Sequence, residues 1–137
     1  MATNPYVEII SSPTGQVLAY IVRANWNPQA TEFVTPDSFS LQMGLIVYGK
    51  GQAITRHMHL PITRQVEGTS EVVSVRQGAC DVDLYDDARG FVGSRRLDLG
   101  DTILLLGGGH GFRMHEDTVL FEVKQGPYAN GRDKERF

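Results

Sequence analysis

The chain has 137 residues, 41% of them hydrophobic, with 13 Lys and Arg against 16 Asp and Glu. That is enough for one domain with a real core, and the lack of a basic excess argues against nucleic acid as a partner. The longest dense apolar stretch, "TILLLGGG", is too short to span a bilayer, and the start "MATNPYVEII" lacks the layout of an export signal. One cysteine, Cys80, excludes an internal disulfide framework. The expectation is a single domain over 1–137 in a reducing cytoplasm, with no membrane partner.

The predicted elements are short strands. "YVEII" and "VLAYIV" flank the turn cluster "SSPTG" and read as a hairpin. "NWNPQATEFVTPD" carries two prolines and no regular period, so it reads as a loop. "FSLQMGLIVY" reads as a strand bent at Gly44, and "GKGQ" turns the chain into a further strand, "AITRHMH". "EVVSVRQ" and, past Gly78, "ACDVDLYD" follow; in the latter Val82 and Leu84 take one face, and Asp81, Asp83 and Tyr85 the other. "DDARG" turns into "FVGSRRLDL", "GD" leads into "TILLL", and "GFRMH" and "VLFEVKQG" close the series before a polar tail over 128–137. Roughly nine or ten short strands, spaced about 8–12 residues apart, indicate an all-β sandwich or barrel, with the jelly roll as the natural closed form.

Residues two apart in a strand project to one face, so His57 and His59 stand together while Met58 points away. Alone, such a pair reads just as well as surface histidines. Its surroundings carry more. Gly51 precedes His57, Glu71 opens the valine-rich run, and Gly78 closes that run with six residues between the two. Gly100 and Asp101 then lead to His110. This layout resembles the two-part motif of the cupin superfamily, over roughly residues 40 to 125. The ending "FEVKQGPYANGRDKERF" and the block "GGHGF" are similar to those of small single-domain bacterial cupins without an assigned activity. Two features depart from the pattern. The stretch "LPITRQVEGTS" lengthens the link between His59 and Glu71, so Glu67 stands as a rival carboxylate. Gly107 to Gly109 replace the usual proline turn before His110.

The resemblance implies a jelly-roll (double-stranded β-helix) cupin barrel. It implies one divalent metal, Fe, Mn, Ni, Co or Zn, held by His57, His59, Glu71 and His110. Such a ligand set leaves positions open to water, dioxygen or a chelating small-molecule ligand. It also implies a homodimer, with "YVEII" and "VLAYIV" as the strands that pair between subunits. The expected function is a metalloenzyme acting on a small oxygen-rich molecule, of isomerase, lyase or dioxygenase type. The alternatives are a non-catalytic metal- and ligand-binding module, and a metal-free sugar-nucleotide isomerase or epimerase using acid–base groups.

The segment Leu60 to Ser70 reads as a rim loop, because Pro61 disfavours a central strand there. Arg64 and Gln65 on that loop are candidate substrate-binding residues. Lys124 is a third, on the last strand. It shares a face with Glu122, and the two either line the cavity or form a surface pair. His115, beside a turn, reads as a solvated residue. No catalytic residue follows from the sequence.

Overall fold

The computed structural model describes residues 3–137, and among them every regular element is a strand. In chain order these are β1 (Val7–Ser11), β2 (Val17–Val22), β3 (Glu32–Phe33), β4 (Gly44–Leu45) and β5 (Glu71–Gln77). They continue as β6 (Cys80–Tyr85), β7 (Phe91–Leu97), β8 (Thr102–Leu105), β9 (Gly109–Met114) and β10 (Val119–Lys124). The chain divides into two compact units. The larger is formed by the stretch up to Trp26 together with Gly68–Phe137, the smaller by Asn27–Glu67.

The larger unit holds two antiparallel sheets. One has five strands in the order β1-β2-β8-β5-β10, the other three in the order β7-β6-β9. The period of two in the sequence sets their faces. Cys80, Val82 and Leu84 of β6 are buried, while Asp81, Asp83 and Tyr85 between them are only partly so. Val73 and Val75 of β5, Ile103 and Leu105 of β8, and Ala19 and Ile21 of β2 form the facing apolar set. The two inner faces share one core cluster, the arrangement of a β-sandwich. Burial pushes the Cys80 thiol up in pKa, so this cysteine behaves as a packing residue.

The turn before β8 is tied down by Asp101, which is buried. Its carboxylate accepts hydrogen bonds from the backbone N–H of Ala24 and of Asp98, each at 2.9 Å, and meets the Arg23 guanidinium at 3.0 Å. The acidic residue of the "GD" pair thus clamps the entry of β8 to the end of β2.

In the smaller unit β3 and β4 pair through two residues each, Glu32 with Leu45 and Phe33 with Gly44. This differs from the sequence expectation in three places. The stretch expected to be a loop contains β3. The stretch expected to be one long strand pairs only at β4. "AITRHMH" makes no strand pairing at all, and residues 49 to 68 are all exposed. Alternation alone does not make a strand; a ladder partner does. Gly44 is required at its place, because a Cβ there would lie 2.5 Å from the Glu32 carbonyl oxygen.

The polar tail ends against the three-stranded sheet. The Phe137 ring meets Tyr85 edge-on at 5.2 Å, Arg89 lies over it at 5.3 Å, and Glu135 pairs with Arg89 at 3.0 Å. Of the two N-terminal strands expected to pair between subunits, β2 is enclosed by β1 and β8, so only β1 keeps an open edge. Among the described residues no helix is long and apolar enough to cross a membrane.

Replacing Asp101 with Ala should leave two backbone donors unmatched and remove one of the carboxylate partners of Arg23. The expected loss is about 2–4 kcal/mol of unfolding free energy, read as a lowered midpoint in urea denaturation.

Candidate functional site

The three glycines of the two-part motif share one backbone property. Gly51, Gly78 and Gly100 have φ values of +86°, +78° and +84°. Each marks a sharp turn that other residues adopt only under strain. Gly78 follows β5, the strand that Glu71 opens, and Gly100 precedes β8, which pairs with β5.

Within the larger unit, Glu71 and His110 come together. Glu71 opens β5 and alternates with the core residues Val73 and Val75, so its side chain turns into the sandwich. His110 lies on β9, cross-strand from the core residue Leu84 and two residues from Phe112, which packs on the core. The two side chains therefore approach from opposite sheets, with His110 Nε2 at 3.0 Å from Glu71 Oε2. The side chains are 13% exposed for Glu71 and 31% for His110. Phe112 flanks the imidazole, ring centres 5.9 Å apart.

Lys124 completes this group. The β5–β10 register sets it directly opposite Glu71, with Nζ at 3.9 Å from Oε1. Its charge partner is thus Glu71, not the Glu122 beside it in sequence. The adjoining Gln125 accepts a hydrogen bond from the Ser70 backbone N–H at 2.6 Å, which ties the start of β5 to the end of β10.

Within the smaller unit, His57 and His59 stand together, ring centres 5.2 Å apart and steeply inclined. With its proton on Nδ1, His57 donates to the Thr55 carbonyl at 2.8 Å, which leaves Nε2 as the free lone pair. Arg64, Gln65 and Glu67 are all exposed in the same unit. The four candidate donors thus occur as two pairs, one in each unit. Among the described residues no three His, Cys, Asp or Glu side chains converge on one point.

The other titratable groups have structural partners. On the outer face of the three-stranded sheet, His115 Nε2 lies 2.9 Å from Asp81, and Arg113 bridges Asp83 at 2.9 Å and Asp81 at 3.5 Å. His115 therefore has a carboxylate neighbour and is not simply solvated. A surface cleft of about 460 Å³ opens beside Arg23, Arg96, Asp98 and Leu99. Its arginines already face carboxylates, Arg23 toward Asp101 and Arg96 toward Asp98.

Comparison with known proteins finds no matching family model, no matching curated protein and no matching solved structure.

Hydrogen bonds from Arg113, then from Ser94, hold the Asp83 carboxyl at about 2, below its ordinary 3.8. The folded value is depressed, so this pairing stabilises the fold above about pH 4 and fades as pH falls toward 2. Arg113→Ala should lower the urea midpoint at neutral pH, and its difference from the parent protein should shrink across that acidic window.

Proposed function

We propose that the chain is a metal-binding cupin with a jelly-roll core. His57, His59, Glu71 and His110 hold one divalent cation in it, and the site acts on a small oxygen-rich molecule. The observation that carries this reading is the meeting of Glu71 and His110 across the two sheets. A nitrogen and an oxygen bound at right angles to one metal, each about 2.1 Å away, stand about 3 Å apart. The Nε2–Oε2 distance of 3.0 Å matches that spacing. The donor chemistry fits as well. Imidazole and carboxylate suit a divalent first-row metal, and the free Nε2 of His57 is held in orientation by Thr55. Bound there, the cation would supply Lewis acidity toward an oxygen ligand. The chain's own groups do the rest. Glu71 and His110 would hold the cation from opposite sheets. Phe112 keeps an apolar wall beside the imidazole, and Arg64 and Gln65 belong to the rim that meets the ligand.

A second reading is favoured by the same contact. An imidazole nitrogen 3.0 Å from a carboxylate oxygen, with a lysine beside them, is the kind of group that acid–base chemistry uses, as a metal-free isomerase or epimerase would need. Metal content separates the two. The protein should take up about one equivalent of Mn, Fe or Zn per chain after reconstitution, measured by elemental analysis. Glu71→Gln, His59→Ala and His110→Ala should each lower occupancy at least tenfold, whereas His115→Ala and Glu67→Gln should not. Acidification should release the metal, because ligating imidazoles must be unprotonated. A folded protein that takes up no metal overturns the first reading and leaves the second.

The same reading includes a cytoplasmic homodimer paired through the open edge of β1. Sedimentation at micromolar concentration should give twice the 15.2 kDa chain mass; a monomer would refute the pairing.

A further inference from the structure

Five strands face three in the larger unit, and the mismatch falls at one end. Arg95 of β7 meets Glu8 of β1, and His110 of β9 meets Glu71 of β5, so β7 lies over β1 and β9 over β5. β10 is the next strand beyond β5, and among the described residues no strand lies beyond β9 to cover it. The burial of β10 shows the gap. Leu120 and Glu122 turn to the core side, opposite Val75 and Val73, yet Leu120 is only partly buried and Glu122 is exposed. The free edge of β9 also presents a row of backbone donors and acceptors to a further strand.

The smaller unit holds a segment that is uncovered in the same way. Residues 52–67 make no strand pairing, and Gly51 and Gly68, with φ of +86° and +74°, bound them. Extended as a strand, this arm has two faces. Ile54, Met58, Leu60 and Ile62 form one, interrupted by Arg56; Thr55, His57 and His59 lie on the other. Met58 and Leu60 are 85% and 75% exposed, and apolar chain left open on this scale marks a contact surface. Both faces find a match at β9. On its outer side Gly109 and Gly111 bare the backbone, and the exposed Phe137 ring sits where a Cβ on Gly109 would meet it. Met58 and Leu60 fit that apolar surface. On the inner side Glu71, His110 and Glu122 offer polar partners to His57 and His59.

We infer that this segment is an exchanged arm: in a pair of chains, each arm docks as a strand on the β9 edge of the other copy. In the chain by itself both the arm and the edge are uncovered, so a second copy supplies the cover that the first lacks. The size is sufficient. Residues 49 to 68 are all exposed, and a stable interface engages about 20–30 residues a side. Reciprocal exchange of one element closes on itself and gives a pair, not a fibre. The inference goes beyond the metal reading and does not need it. Under that reading each site would take His57 and His59 from one copy and Glu71 and His110 from the other.

The test uses the full chain without added metal, so it stands or falls apart from the metal reading. The double variant Met58→Cys/Gly111→Cys puts one thiol on the arm and one on the outer side of β9, where a Cβ at Gly111 meets open space. Cys80 is buried and out of reach. A short bismaleimide added at micromolar protein should link chains in pairs, at twice the 15.2 kDa chain mass under denaturing conditions. The linked peptides should join positions 58 and 111, and Met58→Cys alone should stay unlinked. A 58–111 link within one chain means that the arm closes on its own copy and overturns the proposal. So does the lack of any 58–111 link, even in a dimer held through β1. Hydrogen exchange on the unaltered chain decides the matter if the variant fails to fold. Backbone amides of residues 54–60 should exchange at least about tenfold more slowly in the pair than after dilution to monomers. Fast exchange in the pair, or slow exchange that persists in the monomer, overturns the proposal.

Discussion

The apolar layer between the five-stranded and three-stranded sheets fixes which way every strand of the larger unit is turned. Side chains alternate, so a strand that commits its valines to the layer has no freedom left for the residues between and beyond them. On β5, burying Val73 and Val75 forces Glu71 inward. On β6, burying Leu84 sets the orientation of its cross-strand partner His110 on β9. On β10, packing Leu120 against the core turns Glu122 and Lys124 to the same side. The polar group at the end of the layer is thus a by-product of hydrophobic register. The chain need only put a Glu, a His and a Lys at those positions.

This explains what could be read from the sequence and what could not. The period of two is local, so the strands from β5 to β10, and β1 with β2, stand close to where "EVVSVRQ", "ACDVDLYD" and the other runs place them. The motif glycines were legible for a related reason. A turn needing positive φ leaves its mark on a single residue, as at Gly51, Gly78 and Gly100. Partnership is not local. Glu71 and Lys124 are 53 positions apart, and nothing near either residue says that the ladder will set them opposite one another. The same blindness made "AITRHMH" look like a strand. It has the composition, but no neighbour supplies the hydrogen bonds that would make it one. Glu71 and Glu67, equal candidates by residue type, differ in place: one lies inside the sandwich beside His110, the other exposed in the smaller unit.

Charged residues on the two faces of the larger unit serve different ends. Outside, Arg113, Asp81, Asp83 and His115 approach one another across neighbouring strands, while Arg95 of β7 meets Glu8 of β1 and so links the two sheets. Such cross-strand pairs support a sheet without needing a ligand. Asp101, though buried, serves structure in the same way, because its carboxylate oxygens accept the bonds that hold a turn. Inside, Glu71, His110 and Lys124 gather at one end of the apolar layer, with the Lys124 ammonium 3.9 Å from Glu71.

The position of β10 at the rim of the five-stranded sheet bears on self-association. Val119, Phe121 and Val123 point outward from this edge, each about half exposed. An apolar edge strand is a template on which a second strand can dock, and stacking of that kind leads to aggregation. Glu122 and Lys124 interrupt it from the other side. A docking strand would have to bury two opposite charges along with its own backbone. These charges therefore oppose edge-to-edge docking independently of any ligand, which limits how far this edge of the sheet can drift toward hydrophobic residues before the chain starts to stick to itself.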